Sequence, residues 1–324
     1  MNPFITATGS YLPARVVSNE ELADKIGLTP EQIFKSSGIR QRHWASPGEI
    51  TSALGQVALK NTRVSVEDVD YLIFGTMTSD RFIPGSAPAV QAALNLREVP
   101  CLDIREACCN TLYGLQIAKA LVTSGLARRV ALCLAEVQSA FLKLSPAAGT
   151  TSMLFGDGAA ALVVSSQGEA GALEIVDVHL ATDGKYVDDL GIRAPGSEFR
   201  ANSEPQDFEP RMNGQSVILQ ASRRMLSACQ VVLDRNSLSI DDVSWIVPHQ
   251  ANANLLTQLA RGLRLQDVSK VVSVIEHTGN TSSASMGIAL DTLRRSGDLK
   301  QGEFILMPAF AAGFTWGAAL CRVC

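Results

Sequence analysis

Long apolar runs are missing from this 324-residue chain: no stretch approaches 18 consecutive apolar residues, so no membrane-spanning helix is expected. Excess positive charge is missing too. Lys and Arg number 28 against 32 Asp and Glu, a formal net charge of -4, which excludes the basic field of a nucleic-acid binder. An acidic partner would have to find a local basic patch. Histidine is scarce, at four residues: His43, His179, His249 and His277. Cysteine occurs seven times, an odd number scattered through a large chain. That argues against a disulfide framework and for a reducing, cytoplasmic setting. The terminal "CRVC" sets Cys321 and Cys324 at zinc-knuckle spacing, yet no second pair completes a metal site, so none is expected. The opening "MNPFITATGSYLP" lacks a basic segment followed by an apolar one, and no signal peptide is expected.

What is present is an apolar content of 46%, ample for a large core, and a sequence written twice. "VSVEDVDYLIFGT", from Val64, is echoed by "LSIDDVSWIVPHQ", from Leu238, 174 residues on. "CCNTLYGLQIAKAL" is echoed by "TGNTSSASMGIAL", where Asn110-Thr111 matches Asn280-Thr281 at a separation of 170. "GAAALVV", from Gly158, is echoed by "GAALCRV", from Gly317. Two similar halves, 1–167 and 168–324, follow. Short apolar runs ("YLIFGTM", "VALCLAEV", "ALVVSS", "WIVPHQ", "FILMPAF") read as strands. Leu112, Leu115, Ile117, Ala118, Leu121 and Val122 make a broad apolar helix surface, hence a buried helix. The alternation predicts an α/β fold with layered sheets and helices between and outside them. Segment 196–216 is polar and reads as an irregular surface excursion.

Duplication lets equivalent loops converge, so residues far apart in sequence can share a pocket. Three loops are candidates. In "REACCNTLYGL", Cys108 precedes a helix that begins near Asn110; unpaired N–H groups at a helix start lower a thiol pKa. Only one of Cys108 and Cys109 can face a cleft, and spacing leaves open which; both could be small core residues. His249, in "WIVPHQAN", follows a strand end, where ligands bind in many α/β sheets; otherwise it is a loop histidine. Asn280, in "HTGNTSSAS", is either a helix cap or the counterpart of the cysteine loop. The small residues of "PAFAAGFTWGAAL" either let backbone N–H groups reach a ligand or pack layers tightly.

Together these loops resemble the thiolase superfamily, specifically its beta-ketoacyl-ACP synthase III branch. The resemblance runs from "GSYLPARVVSNEELA" through "SGIRQRH", "DIREACC", "LFGDGAAALVV", "VPHQAN" and "GNTSSAS" to "GFTWGAAL". It implies a thiolase-like α-β-α-β-α sandwich, a homodimer, and a decarboxylating Claisen condensation. Cys108 would be the nucleophile that carries the acyl group. His249 and Asn280 would donate hydrogen bonds to the malonyl thioester, and the backbone N–H groups of Cys108 and Ala312 would form an oxyanion hole. No cofactor or metal is implied; acyl-CoA and acyl-carrier-protein thioesters are the substrates, and an acyl carrier protein is the partner. Two alternatives stand beside it: an acyltransferase moving the Cys108-bound group to another nucleophile, and a quiet partner subunit of another ketosynthase.

The chain departs from the family at the entrance. Gln32 and Ser36 stand where an aromatic and an arginine grip coenzyme A, and Ala148 replaces a second arginine, although Lys35 lies nearby. Weak coenzyme A binding, and a donor that arrives on a carrier protein, are expected. Ala311 and Ala312 replace glycines; they can still donate N–H provided their φ angles are negative, and their methyl groups narrow the pocket floor. Ile83 matches a bulky position that reaches the partner subunit's acyl tunnel, so a longer or differently shaped acyl chain is expected. Gly214 and Asn252 complete the expected substrate-binding set. Arg223, Arg224, Arg261 and Arg264 are candidates for carrier docking. The stretch 102–129, with "APGS" at 194–197, also looks like the condensing enzymes of alkylquinolone pathways, which makes a specialised lipid or secondary-metabolite role an option beside fatty-acid synthesis.

Overall fold

The architecture is that of a computed structural model that describes residues 2–197 and 204–324. Its strands are β1 (Phe4–Tyr11), β2 (Arg15–Ser18), β3 (Gln41–Trp44), β4 (Tyr71–Gly75), β5 (Cys101–Ile104), β6 (Arg129–Glu136), β7 (Gly158–Ser165), β8 (Leu173–Thr182), β9 (Leu190–Gly191), β10 (Arg211–Met212), β11 (Val243–Ile246), β12 (Phe304–Ala311) and β13 (Thr315–Val323). Its helices are α1 (Asn19–Ile26), α2 (Pro30–Ser37), α3 (Thr51–Asn61), α4 (Ala87–Ala93), α5 (Asn110–Thr123), α6 (Gly149–Ser152), α7 (Gly214–Arg235), α8 (Ala253–Gly262), α9 (Ile275–Thr278) and α10 (Ser285–Ser296).

Nine strands form a mixed sheet in the order β11-β12-β13-β8-β1-β7-β6-β4-β5. Outward from β1 the neighbours are β7, β6, β4 and β5; outward from β8 they are β13, β12 and β11, with a parallel bridge from Ile246 to Val271 at the far edge. The same connectivity is thus laid down twice, back to back. The seam is short, two residue pairs, Phe4 with Glu174 and Ile5 with Leu173. Helices α5 and α10 lie in the middle layer. Leu112, Leu115 and Val122 of α5 and Met286, Ile288 and Leu290 of α10 share one buried cluster with strand residues of both halves, including Leu132, Leu162, Ile175 and Met307. Helices α3 and α4 cover the outer face of the first half, and α7 and α8 that of the second. The result is helix, sheet, helix, sheet, helix.

Local sequence explains the middle layer. α5 is apolar on nearly every face, as its burial requires. Gly114 lets it settle on β6: a Cβ there would sit 2.4 Å from Leu132. No side chain caps the helix start; the Ala107 carbonyl of the preceding turn accepts the Asn110 N–H instead.

Two expectations need correction. The repeat register at the cysteine loop is 175 residues, not 170. A short 3-10 turn precedes each middle helix (Ala107–Cys109 before α5, Ser282–Ala284 before α10), and each turn opens on a non-glycine residue at positive φ, Ala107 at 47° and Ser282 at 48°. Cys108 therefore answers to Ser283, and Asn110 to Ser285, while Asn280 lies just ahead of the equivalent turn. Shared local chemistry (an Asn-Thr pair in each half) suggested the wrong pairing; backbone geometry sets the right one. Segment 196–216 is also less irregular than its composition suggests. Residues 198–203 lie outside the described residues, but Pro205–Phe208 form a 3-10 turn, β10 pairs with β9, and α7 begins at Gly214.

Candidate active site

The Cys108 turn, the strand end after β11, the turn before α10 and the β12–β13 turn meet in one place. Cys108 is half-buried, and its Sγ lies 3.6 Å from Ser282 Oγ. Cys109 points the other way. It is fully buried in the central apolar cluster, with its Sγ directed at the Thr315 carbonyl at 3.5 Å. The tertiary packing thus separates the adjacent thiols, one toward the cleft and one into the core.

Ser282 ties Cys108 to Asn280. The Asn280 side chain accepts the Ser282 backbone N–H through Oδ1 at 2.8 Å, and its Nδ2 donates to the Ala251 carbonyl at 3.4 Å. Asn280 stays in place because its backbone is pinned on both sides: its N–H donates to Leu154, and its carbonyl accepts from Gly156. Gly279 permits this. Its φ is 66°, and a Cβ there would meet Arg42 at 2.8 Å. His249 sits two residues before Ala251, held by its backbone N–H to the Pro308 carbonyl at 3.0 Å. Its Nδ1 lies 2.6 Å from Ser285 Oγ. Asn280 and His249 are 5% and 3% exposed, so both side chains are shielded from water.

The β12–β13 turn supplies the fourth wall. Ala311 and Ala312 both avoid positive φ, and Gly313 takes the left-handed strain at 130°. Ala312 is half-buried, and neither its N–H nor that of Cys108 meets a backbone acceptor among the described residues. The turn is fastened from below. Asp183 and Phe314 exchange backbone hydrogen bonds, Asp183 holds Arg224 at 2.8 Å, and the Arg224 guanidinium lies 4.1 Å over the Trp316 ring.

Electrostatics correct one expectation. A helix start lowers a thiol pKa, yet burial pushes Cys108 up to about 12; the Ser282 hydroxyl opposes the rise and Glu136 adds to it. The resting thiol is therefore neutral. His249 is pushed down to about 4 by burial, so its ring is neutral as well. Glu136, fully buried at the end of β6, rises to about 7 through desolvation, against hydrogen bonds from Ser283, Thr78, Met77 and Thr76.

The remaining expected residues lie on several other elements. Gln32 is exposed but committed: its side chain accepts the Thr29 N–H and caps α2. Ser36 is exposed, and its carbonyl accepts Asn252 at 2.9 Å and Asn254 at 3.0 Å, which locks α2 to the start of α8. Asn252 also caps α8. Ala148 is half-buried in a turn beside α1. Nothing approaches the Cβ position of Gly214, which opens α7. Ile83, 78% exposed, projects away from this subunit next to Phe82 at 79%. Of the docking arginines, Arg223, Arg261 and Arg264 are exposed, and Arg223 borders a surface groove of about 650 Å³ with Ile218, Leu219 and Gln258. Arg224 is not available, since Asp183 and Trp316 engage it.

Sequence reasoning passed over Ser282, Ser285 and Glu136. The serines lie in "GNTSSASM", where they read as helix-capping residues; Glu136 is a lone carboxylate ending an apolar strand, the one legible sign of a buried charge. Among the described residues, no cluster of three or more His, Cys, Asp or Glu is arranged to hold a metal, and no helix is long and apolar enough to cross a membrane.

Comparison with known proteins identifies the family. Residues 102–184 match the family "3-Oxoacyl-[acyl-carrier-protein (ACP)] synthase III", and residues 233–323 match its C-terminal counterpart. The chain is 38% identical to the beta-ketoacyl-[acyl-carrier-protein] synthase III of Chlamydia caviae, covering 98% of this chain and 96% of that one. It superposes on the 3-oxoacyl-[acyl-carrier-protein] synthase III of Aquifex aeolicus with a TM-score of 0.90 at 32% identity, covering 99% and 100% of the two chains. The priming beta-ketosynthase of the R1128 polyketide pathway matches equally well in shape, with a TM-score of 0.90 at 31% identity over 99% and 96%. The chain belongs to the beta-ketoacyl-ACP synthase III family, with that family's thiolase-like fold.

Proposed function

We propose that this protein performs the decarboxylating condensation of an acyl group on Cys108 with a malonyl thioester. The Cys108 sulfur attacks the donor thioester carbonyl, the donor's thiol departs with the proton, and an acyl-enzyme remains. The N–H groups of Cys108 and Ala312 hold the oxyanion of that step. A malonyl thioester then loses carbon dioxide. The electrons of the broken C–C bond form an enolate, which attacks the acyl-enzyme and expels the Cys108 thiolate. His249 and the free N–H of Asn280 Nδ2 stabilise the enolate oxygen, where charge is greatest in the transition state. These steps need no metal or redox cofactor. The observation that carries the reading is the hydrogen-bond chain from Cys108 through Ser282 to Asn280 and on to the Ala251 carbonyl beside His249.

The finer reading concerns partners. An acyl carrier protein delivers at least one substrate, docking by Arg223 and the groove of α7 and α8. Gln32, Ser36 and Ala148 offer coenzyme A no cation, and the Gln32 side chain is already committed to the Thr29 N–H. Two copies pair in the cytoplasm so that the exposed Phe82–Ile83 tip enters the other subunit's acyl pocket. The product serves fatty-acid synthesis or a specialised lipid or secondary-metabolite pathway. Intact-protein mass spectrometry tests this, with a panel of acyl-CoA and acyl-carrier thioesters followed by malonyl carrier. An acyl adduct that converts to a beta-ketoacyl product supports condensation; an adduct transferred without loss of carbon dioxide, or no adduct at all, overturns it.

A further inference from the structure

An imidazole in neutral form carries one ring hydrogen, and the reading above needs it on a defined nitrogen of His249. Its Nδ1 lies 2.6 Å from the hydroxyl of Ser285, the first residue of α10, which is 1% exposed. That hydroxyl also accepts the backbone N–H of Gln250 at 3.2 Å. A serine hydroxyl has one proton to give. Among the described residues His249 Nδ1 is its one acceptor within hydrogen-bond reach. The bond therefore runs from Ser285 to His249, and the ring hydrogen belongs on Nε2. The helix end contributes as well: α10 points its N-terminus at the ring, which disfavours a second proton there. The duplicated half shows that this is a particular arrangement. Asn110 holds the equivalent position on α5, but it turns back onto the Glu106 N–H of its own loop at 2.7 Å. Ser285 instead reaches across to another element.

We infer that Ser285 is a positioning residue: its hydroxyl donates to His249 Nδ1 and holds the ring as the Nε2–H tautomer that the condensation step uses. The inference rests on the donor role proposed for His249. It assigns Ser285 no part in acyl loading, which uses Cys108 and backbone N–H groups.

Long-range proton–nitrogen NMR of the 15N-labelled protein reads the tautomer directly, with the His249 signals assigned by their loss in His249→Ala. The expected wild-type spectrum has a bare Nδ1 and a protonated Nε2. Ser285→Ala should show a tautomer mixture, keep acyl loading of Cys108 by mass spectrometry, and lose condensation kcat on the order of 10–100-fold with little change in KM. Ser285→Thr should restore both the spectrum and kcat. A wild-type Nδ1–H tautomer overturns the inference, and so does Ser285→Ala with an unmixed Nε2–H ring or unimpaired kcat. If Ser285→Ala does not fold, the wild-type spectrum and the Thr variant decide. Normal condensation by His249→Ala would instead remove the donor role while leaving the tautomer result intact.

Discussion

Asn280 does two things with two atoms, and an Asn280→Asp variant separates them. Oδ1 accepts the Ser282 N–H at 2.8 Å, which holds the Ser282 hydroxyl 3.6 Å from the Cys108 sulfur. Nδ2 makes one long bond, 3.4 Å to Ala251, and its other hydrogen is available to a substrate. Aspartate keeps the shape and the Oδ1 acceptor but removes both N–H donors. Loss of one oxyanion donor costs about 10²–10³-fold in rate, or about 3–4 kcal/mol. The new carboxylate would sit at a position only 5% exposed, facing an enolate, so the loss should fall at the upper end. Acyl loading should stay near wild type, because the anchor to Ser282 survives. Asn280→Ala loses the anchor too, and its loading should slow. Quenched-flow mass spectrometry follows the Cys108 adduct, and malonyl consumption by the same preparation follows condensation. An Asp variant that condenses within about tenfold of wild type, or one that fails to load, refutes the assignment of these two atoms.

Other expected outcomes follow from the same geometry. Cys108→Ala should abolish the acyl adduct, whereas Cys109→Ala should keep it and lose roughly 1 kcal/mol in urea denaturation from the buried cluster; loss of the adduct in the Cys109 variant alone would reverse the assignment. With its thiol at about 12, Cys108 should react with iodoacetamide about tenfold faster per pH unit between about pH 7 and 10, and a plateau below about pH 9 would contradict the burial argument. Glu136 rises from 4.5 to about 7, so the folded state keeps a proton that the unfolded chain releases. Its contribution is fully present below about pH 4.5 and is lost as pH rises to about 7, roughly 3 kcal/mol in all; Glu136→Gln should flatten that slope in denaturation measured across the window, and an unchanged slope counts against it. Arg223→Glu should raise KM for a carrier-bound substrate and leave a coenzyme A substrate unaffected; equal KM values would move the docking site elsewhere.

Much of this was legible in one dimension. The apolar runs that became β4, β6, β7, β11 and β12 are continuous because both faces of those strands are covered by helices. The all-round apolar character of α5 announced a helix between layers. Cys108 and His249 stood out because each follows a strand end in a loop of distinctive composition, and Asn280 because its loop echoes that of Cys108. Ser285 did not, because a serine at a helix start is ordinary, and only the 2.6 Å approach of a ring from α10's neighbour gives it meaning. Arg224 misled for the complementary reason. In the linear sequence it looks like Arg223, but it lies about 100° round the helix, where Asp183, which arrives from β8's end, claims it.

The sequence alone thus supplied the candidate residues and the duplication of the scaffold, since residue type and apolar period are local properties, and its family resemblance implied the chemistry. The tertiary structure decided what depends on which atoms share a space: which of two adjacent thiols meets the cleft, the 175-residue register of the two turns, and the pKa of each group. Those choices are set by packing and desolvation among segments more than a hundred residues apart, which no local pattern encodes.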